Sequence, residues 1–312
     1  MSLPPRRIQW GNGNPSGSPL QPSQPEGFIA PQDKRHTTGR IFWNGPIDTS
    51  SILPSEPGRA VARFKHNLNE LIWNTAALEG NAFTLPEVIT LLDGVTVGGK
   101  SIEDEEQIFA LSEGYNFVAE HVECGTFELT REFSNQVHVF VARHEAIESG
   151  LFRGQGVVTG GGSVRLSQGG IIDCDDHGEN GENLLADYAN LLAALSQIED
   201  PRERSLAYFC SAVRSQFYFD GNKRTARLMM AGELMSHGFD AINIPFARRL
   251  EFNQALDTLF THDDATQLMR FLVSCALRPE LSGGQAAEFH VKHSGPLLMS
   301  LAAFAGYKQA PQ

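Results

Sequence analysis

Apolar positions recur with helical spacing along most of the chain. Between Gly58 and Leu78, the positions Phe64, Leu68, Leu71, Ile72, Thr75 and Leu78 share one face and predict a single strong helix. Glu79-Gly80-Asn81 closes it, with Gly80 a natural C-cap. Thr84-Leu-Pro-Glu87 has the form of a helix start, and a short helix to Leu92 is expected. A helix over 102–122 turns Ile108, Leu111, Tyr115 and Val118 inward. Thr130 caps the next, with an inner stripe of Phe133, Val137, Phe140, His144 and Ile147. Residues 156–171 break the pattern: β-branched residues alternate with glycines and predict a hairpin. Helical periodicity returns over Glu182–Ile198 and 202–217, where Leu206, Phe209, Cys210, Val213 and Phe217 are apolar. A further helix starts near Asn222 and carries Ala226, Met229, Met230 and Leu234 inward. Helices over 247–260 and 264–277 follow a short extended piece at Ala241–Pro245. The reading is a mainly α chain with one small hairpin and no internal repeats.

The first 38 residues are rich in Pro, Gly, Ser and Gln and read as a disordered tail. The segment beyond Pro279 becomes irregular, with a short helix expected at Leu297–Phe304. The 312 residues suffice for one large domain or two modest ones, and 41% hydrophobic content supports a sizeable core. The net charge of −12 argues against a nucleic-acid binder, which needs a basic footprint. Four cysteines without C-x-x-C spacing point away from a zinc ribbon or disulfide framework; Cys210 and Cys275 fall in apolar helical patterns as packed thiols. No apolar run is long enough to span a bilayer and no signal-peptide core opens the chain, so a cytoplasmic location is expected. Oligomeric state stays open.

The chemistry concentrates at Asp220-Gly221-Asn222-Lys223-Arg224, followed by Arg227. Gly221 permits a sharp turn. Gly221, Asn222 and Lys223 then lie at a helix N-terminus, whose free N–H groups and dipole favour phosphate. Asp220 is placed to hold a divalent cation. Arg224 and Arg227 share a helical face, where guanidinium groups grip phosphate oxygens. The reading is a metal–nucleotide phosphate clamp; an ordinary helix–loop–helix turn with a solvated basic face competes with it. His144, on an apolar stripe, reads as a packed, hydrogen-bonded histidine rather than a general base. Asp173-Cys174-Asp175-Asp176-His177 has metal-ligand residue types but reads as a solvated loop.

The stretch Gln216-Phe-Tyr-Phe-Asp220-Gly-Asn-Lys-Arg224-Thr-Ala-Arg227 resembles the signature of the Fic (Fido) family, H-x-F-x-[D/E]-G-N-[G/K]-R-x-x-R. Two positions depart: Gln216 stands at the family histidine and Tyr218 at its phenylalanine. Upstream, Thr75-Ala-Ala-Leu-Glu79-Gly80 is similar to the family's inhibitory motif, [S/T]-x-x-x-E-[G/N], in the class whose inhibitory helix precedes the core. The resemblance covers about Phe42 to Leu277. It implies a Fic/Fido helical bundle with a β-hairpin flap. The divisions expected are a tail over 1–38, an N-terminal helical region with the inhibitory helix over 39–125, the Fic core over 126–278 and a second tail over 279–312. Such a tail is too short for the winged-helix module some Fic proteins append. His144 falls where the Fic fold commonly has a structural histidine.

The resemblance implies transfer of AMP from ATP to a protein hydroxyl. Asp220 takes the Mg²⁺, Gly221, Asn222 and Lys223 the anion hole, and Arg224 and Arg227 the phosphates. Glu79 is expected to cross to Arg227 and deny it to the nucleotide. The flap at 156–171 is expected to dock a protein segment by strand pairing. Gln216 has no pKa near neutrality and cannot act as a general base, a role that contributes ~10²- to 10⁴-fold. Three readings follow: an autoinhibited ATP/Mg²⁺-binding adenylyltransferase of weak or lost activity, a protein phosphotransferase resembling the Doc toxins (which share a lysine at position 223), or a non-catalytic interaction module.

Overall fold

The computed structural model describes residues 35–276. Its organisation follows from one helix that is covered on every side. In α8 (Asn222–Ser236) each residue from Arg224 to Met235 is buried. A helix of that kind needs neighbours all round. They are α7 (Pro201–Ser215), α5 (Arg131–Ala142), α4 (Ile102–Glu123) and α1 (Pro57–His66). Around this centre, α2 (Leu68–Leu78) and α3 (Leu85–Leu92) pack on α4, and α6 (Glu182–Leu195) packs on α7. The last pair, α9 (Arg249–His262) and α10 (Thr266–Ser274), pack on each other and on α7. The fold is mainly helical, with two small antiparallel strand pairs among the described residues. No described helix is long and apolar enough to cross a membrane.

The first strand pair begins inside the segment expected to be a tail. β1 (Arg35–Thr38) pairs with β2 (Ile41–Asn44). Thr38, Ile41 and Trp43 are buried, and the Trp43 indole N–H donates to Glu203 at 2.7 Å. β2 also joins the α9–α10 junction, through Phe42 N–H to Asp263 O at 3.0 Å and Ala265 N–H to Phe42 O at 2.8 Å. Alternating burial in four-residue strands is too short a pattern to emerge from a Pro- and Gly-rich run. Residues 1–34 and 277–312, with the helix expected at Leu297–Phe304, lie outside the described residues.

Three further expectations shift. The single helix over 58–78 is two, divided at Asn67, whose side-chain amide donates to Arg63 O at 2.9 Å. Asparagine competes with the helical backbone in this way, and apolar spacing does not report it. The hairpin lies later than 156–171: β3 (Ser163–Arg165) pairs with β4 (Ile171–Asp173), and Gly160–Gly162 lead into it with positive φ. Finally, α5 stops at Ala142. His144 and Ile147 therefore leave the inner stripe for the surface, His144 beside Arg143 and Glu106. Among the described residues the buried histidine is His138, inside α5. The capping box at α3 forms as read, with the Glu87 carboxylate accepting from Thr84 N–H at 2.8 Å and from Lys100 at 2.8 Å.

Candidate active site

The end of α7 and the start of α8 are joined by a loop that is stitched from several directions. Gln216 terminates α7 in the left-handed conformation, φ 49°. A side chain there costs of order 1–3 kcal/mol, so the surroundings must enforce it. Three bonds do so: Gln216 Nε2 donates to Val213 O at 2.7 Å, Asn222 Nδ2 donates to Gln216 Oε1 at 3.1 Å, and Arg153 Nε donates to Gln216 O at 2.7 Å. Asn222 also accepts from Tyr218 N–H at 2.9 Å and donates to Tyr218 O at 2.8 Å. Gly221, φ 73°, opens α8. A Cβ at Gly221 would lie 2.7 Å from the Ala142 Cβ, so packing as well as φ requires glycine.

Beneath this loop sits His138. Its Nε2–H donates to Asp220 O at 2.9 Å, and its Nδ1 accepts from Gly150 N–H at 2.9 Å. The ring stacks on Tyr218 with centroids 3.8 Å apart. Burial pushes its pKa down to about 4, so it is a neutral spacer. The Tyr218 hydroxyl lies 2.9 Å from Ser134 Oγ and donates to Asn135 Oδ1 at 2.9 Å. Tyr208 and Tyr188 extend the same buried chain of hydroxyls.

The basic side chains take different partners. Arg224 is buried; it donates to Val141 O at 2.9 Å, pairs with Glu145, and lies 3.4 Å from Asp220 Oδ1. Lys223 pairs with Glu79 Oε2 at 2.8 Å. Arg227 is 3% exposed, and none of its three nitrogens has a partner among the described residues; Glu79 Oε1 is likewise unpartnered. Burial alone would raise the Glu79 pKa, but Lys223, Arg224 and Arg227 outweigh it and hold the carboxyl below its usual range. The contact expected between Glu79 and Arg227 is thus not made, and the Glu79 carboxylate pairs with Lys223 instead. A lysine at the first turn of α8 reaches Glu79 directly, and the family pattern with glycine there offers no such partner.

Glu79, Lys223 and Arg224 line one end of a cavity of about 630 Å³. Its walls are the α2 end (Leu78, Glu79), the loop and α8 start (Gln216 to Arg224), β3 with its following turn, and one face of α9. Asp220 is largely exposed, with Oδ1 accepting from Gly221 N–H at 2.5 Å. No group of three His, Cys, Asp or Glu side chains suited to a metal occurs among the described residues. The side chains at 173–177 turn elsewhere: Asp173 to Ser163, Asp175 to Arg40, and His177 Nδ1 to Gly178 O.

Among the solved structures that share this fold are two from different organisms. One is Fic-1 (residues 134–508) from C. elegans, at TM-score 0.56 and 19% identity over 73% of this chain and 64% of that one. The other is a Fic domain containing signaling protein from Bacteroides thetaiotaomicron, at TM-score 0.57 and 21% identity over 73% and 89%. The fold is that of a Fic domain.

Curated relatives carry the same name. A protein adenylyltransferase Fic from Nematostella vectensis is 26% identical over 228 residues, 72% of this chain and 50% of that protein. Its counterpart from Drosophila willistoni is 28% identical over 216 residues, 69% of this chain and 40% of that protein. The chain therefore spans half or less of the length of these relatives. No family model matches it. Within the Fic fold, Gln216, Asp220, Gly221, Asn222, Lys223, Arg224 and Glu79 meet at one cavity, and Arg227 is buried behind it. Sequence reasoning missed Glu145, Arg153, His138 and Asp257. Glu145 and Arg153 lie in the irregular stretch after α5, where periodicity gives no signal; His138 and Asp257 sit on inner helical faces, where a polar residue was the available sign.

Proposed function

We propose that this chain is a nucleotide-binding Fic protein of the adenylyltransferase type, held in an inhibited state by Glu79, in which AMP transfer to a protein hydroxyl is slow or absent. One observation carries the reading. Lys223, Arg224 and the α8 N-terminus line one end of a 630 Å³ cavity with the carboxylate of Glu79 among them, and the unpartnered guanidinium of Arg227 is buried behind that end. A fully buried guanidinium without a partner is costly to maintain. It is what a triphosphate would complete once Glu79 withdrew.

Asp220 fits Mg²⁺ in the way such sites are usually built, as one exposed carboxylate beside phosphate oxygens. The bound ion would neutralise phosphate charge. The chain's own residues do the rest. Asn222 and His138 hold the loop that presents Asp220, and the α8 N-terminus faces the anion. Gln216 offers no base, and both polar atoms of its carboxamide already bond within the protein. That pairing favours a second reading: a nucleotide-responsive interaction module, with a protein segment docked at the β3–β4 flap and no group transfer.

Calorimetry of ATP–Mg²⁺ with wild type and Glu79→Gly tests the binding claim; no binding in either would overturn it. Gln216→His then separates the readings. Activity gained by Glu79→Gly/Gln216→His toward an acceptor protein indicates a competent site lacking only its base. The mass added to the acceptor distinguishes AMP from phosphate, the product expected of a Doc-like phosphotransferase.

A further inference from the structure

The flap is too short to hold its own shape. Its strands are three residues each, and glycines with positive φ lie at both ends, Gly160–Gly162 before β3 and Gly169–Gly170 before β4. Isolated two-stranded hairpins are marginal in water. At the base, buried Arg153 ties the loop down by donating to Gly161 O at 3.0 Å and Asp175 O at 3.1 Å, besides Gln216 O. At the tip, one carboxylate does the corresponding work from α9. Asp257 Oδ1 accepts from Ser167 N–H at 2.9 Å; Oδ2 accepts from Ser167 Oγ at 2.6 Å and from Gln168 N–H at 3.2 Å. Asp257 is 8% exposed and forms no ion pair among the described residues. Its charge is therefore balanced by the hairpin turn itself, through charge-assisted bonds. Ser167 and Asp257 both line the cavity, so the latch forms part of its wall.

We infer that Asp257 is a positioning residue: it holds the β3–β4 turn down on α9 and so fixes the flap wall against which a nucleotide is bound. The inference rests on the nucleotide-binding reading above. Removing the carboxylate leaves two backbone N–H groups and a hydroxyl without an acceptor, and the glycines let the hairpin lift. In the full chain carrying Glu79→Gly, Asp257→Ala is expected to speed hydrogen exchange at the Ser167 and Gln168 amides at least tenfold. It is expected to weaken ATP–Mg²⁺ binding at least tenfold, while exchange in α8 and the thermal midpoint stay near the parent. Asp257→Asn is expected to lose part of the latch, since its amide keeps one acceptor oxygen but presents N–H to a backbone N–H donor at the other. Ser167→Ala, which keeps both backbone bonds, is expected to lose less. Retained protection at Ser167 and Gln168, or lost protection with ATP affinity within twofold of the parent, overturns the inference. A Glu79→Gly parent that binds no ATP overturns the nucleotide reading and the inference with it; a parent that binds, with Asp257→Ala equal to it, overturns the latch alone.

Discussion

Glu79→Gln is the most informative single perturbation, because it keeps the size of the side chain and removes only its charge. Glu79 Oε2 pairs with Lys223 at 2.8 Å, and Arg224 and Arg227 add to the field that keeps it ionised. A phosphate entering the same end of the cavity meets that carboxylate. At a separation of roughly 5 Å and an effective dielectric constant of about 20, two unit charges repel by about 3 kcal/mol. Neutralising Glu79 is therefore expected to tighten ATP–Mg²⁺ binding about 100-fold, read by calorimetry. Lys223 supplies the second axis of a double-mutant cycle. In the wild-type background its ammonium already belongs to Glu79, and Lys223→Ala is expected to change ATP affinity less than about threefold. In the Glu79→Gln background the freed ammonium makes a charge-assisted phosphate contact of about 1.5 kcal/mol or more, so the same substitution weakens binding about tenfold. Equal effects of Lys223→Ala in both backgrounds would show that the lysine is not tied to Glu79. Wild-type affinity in Glu79→Gln with gain only in Glu79→Gly would make the block steric, and the electrostatic argument would fail.

The remaining predictions concern the loop that presents the site. His138 titrates at about 4 in the fold against an ordinary 6.5, so between those values the unfolded chain takes up the proton and the native state does not; stability rises with pH through that window. That group contributes about 3 kcal/mol, lost as pH falls from 6.5 toward 4, and the slope in denaturant melts is expected to flatten in His138→Gln. Tyr218→Phe restores the family residue but takes a hydrogen-bond partner from Ser134 and Asn135, and is expected to cost about 1–2 kcal/mol in the same melts; a more stable variant would contradict the role given to the hydroxyl. Gly221→Ala combines positive φ with a contact at 2.7 Å and is expected to cost about 2–3 kcal/mol and to lose ATP affinity; a melt within 0.5 kcal/mol of wild type, the scatter of ordinary surface substitutions, would refute the packing argument.

Most of the helices were legible because burial on one face repeats at helical spacing, and α4 shows it over several turns. The failures share a cause. Asn67 divides a helix by a side-chain bond to Arg63 O, and β1 is defined by its neighbours rather than by its own four residues. Neither leaves a periodic trace. The site divided in the same way. Gly221, Asn222 and Asp220 were readable because backbone geometry at a helix N-terminus demands those residue types locally. The partners of the charges were not, since a charged side chain reaches across the fold and pairs with whatever the packing brings near. Arg224 meets Glu145, and Glu79 meets Lys223.

That distinction bears on how the two departures in the signature are weighed. Tyr218 is absorbed into a chain of hydroxyls from Ser134 to Tyr188 and does not line the cavity. Gln216 is absorbed too, folded onto Val213 O and Asn222. The Asn222 bond, however, ties it to the residue that also brackets Tyr218, so the carboxamide contributes to the loop's rigidity while giving up proton transfer. Gln216→His removes that bond as it installs a base. Gain of activity should therefore come with a lower melting temperature than wild type. A variant that gained activity at undiminished stability would show that the carboxamide holds nothing together.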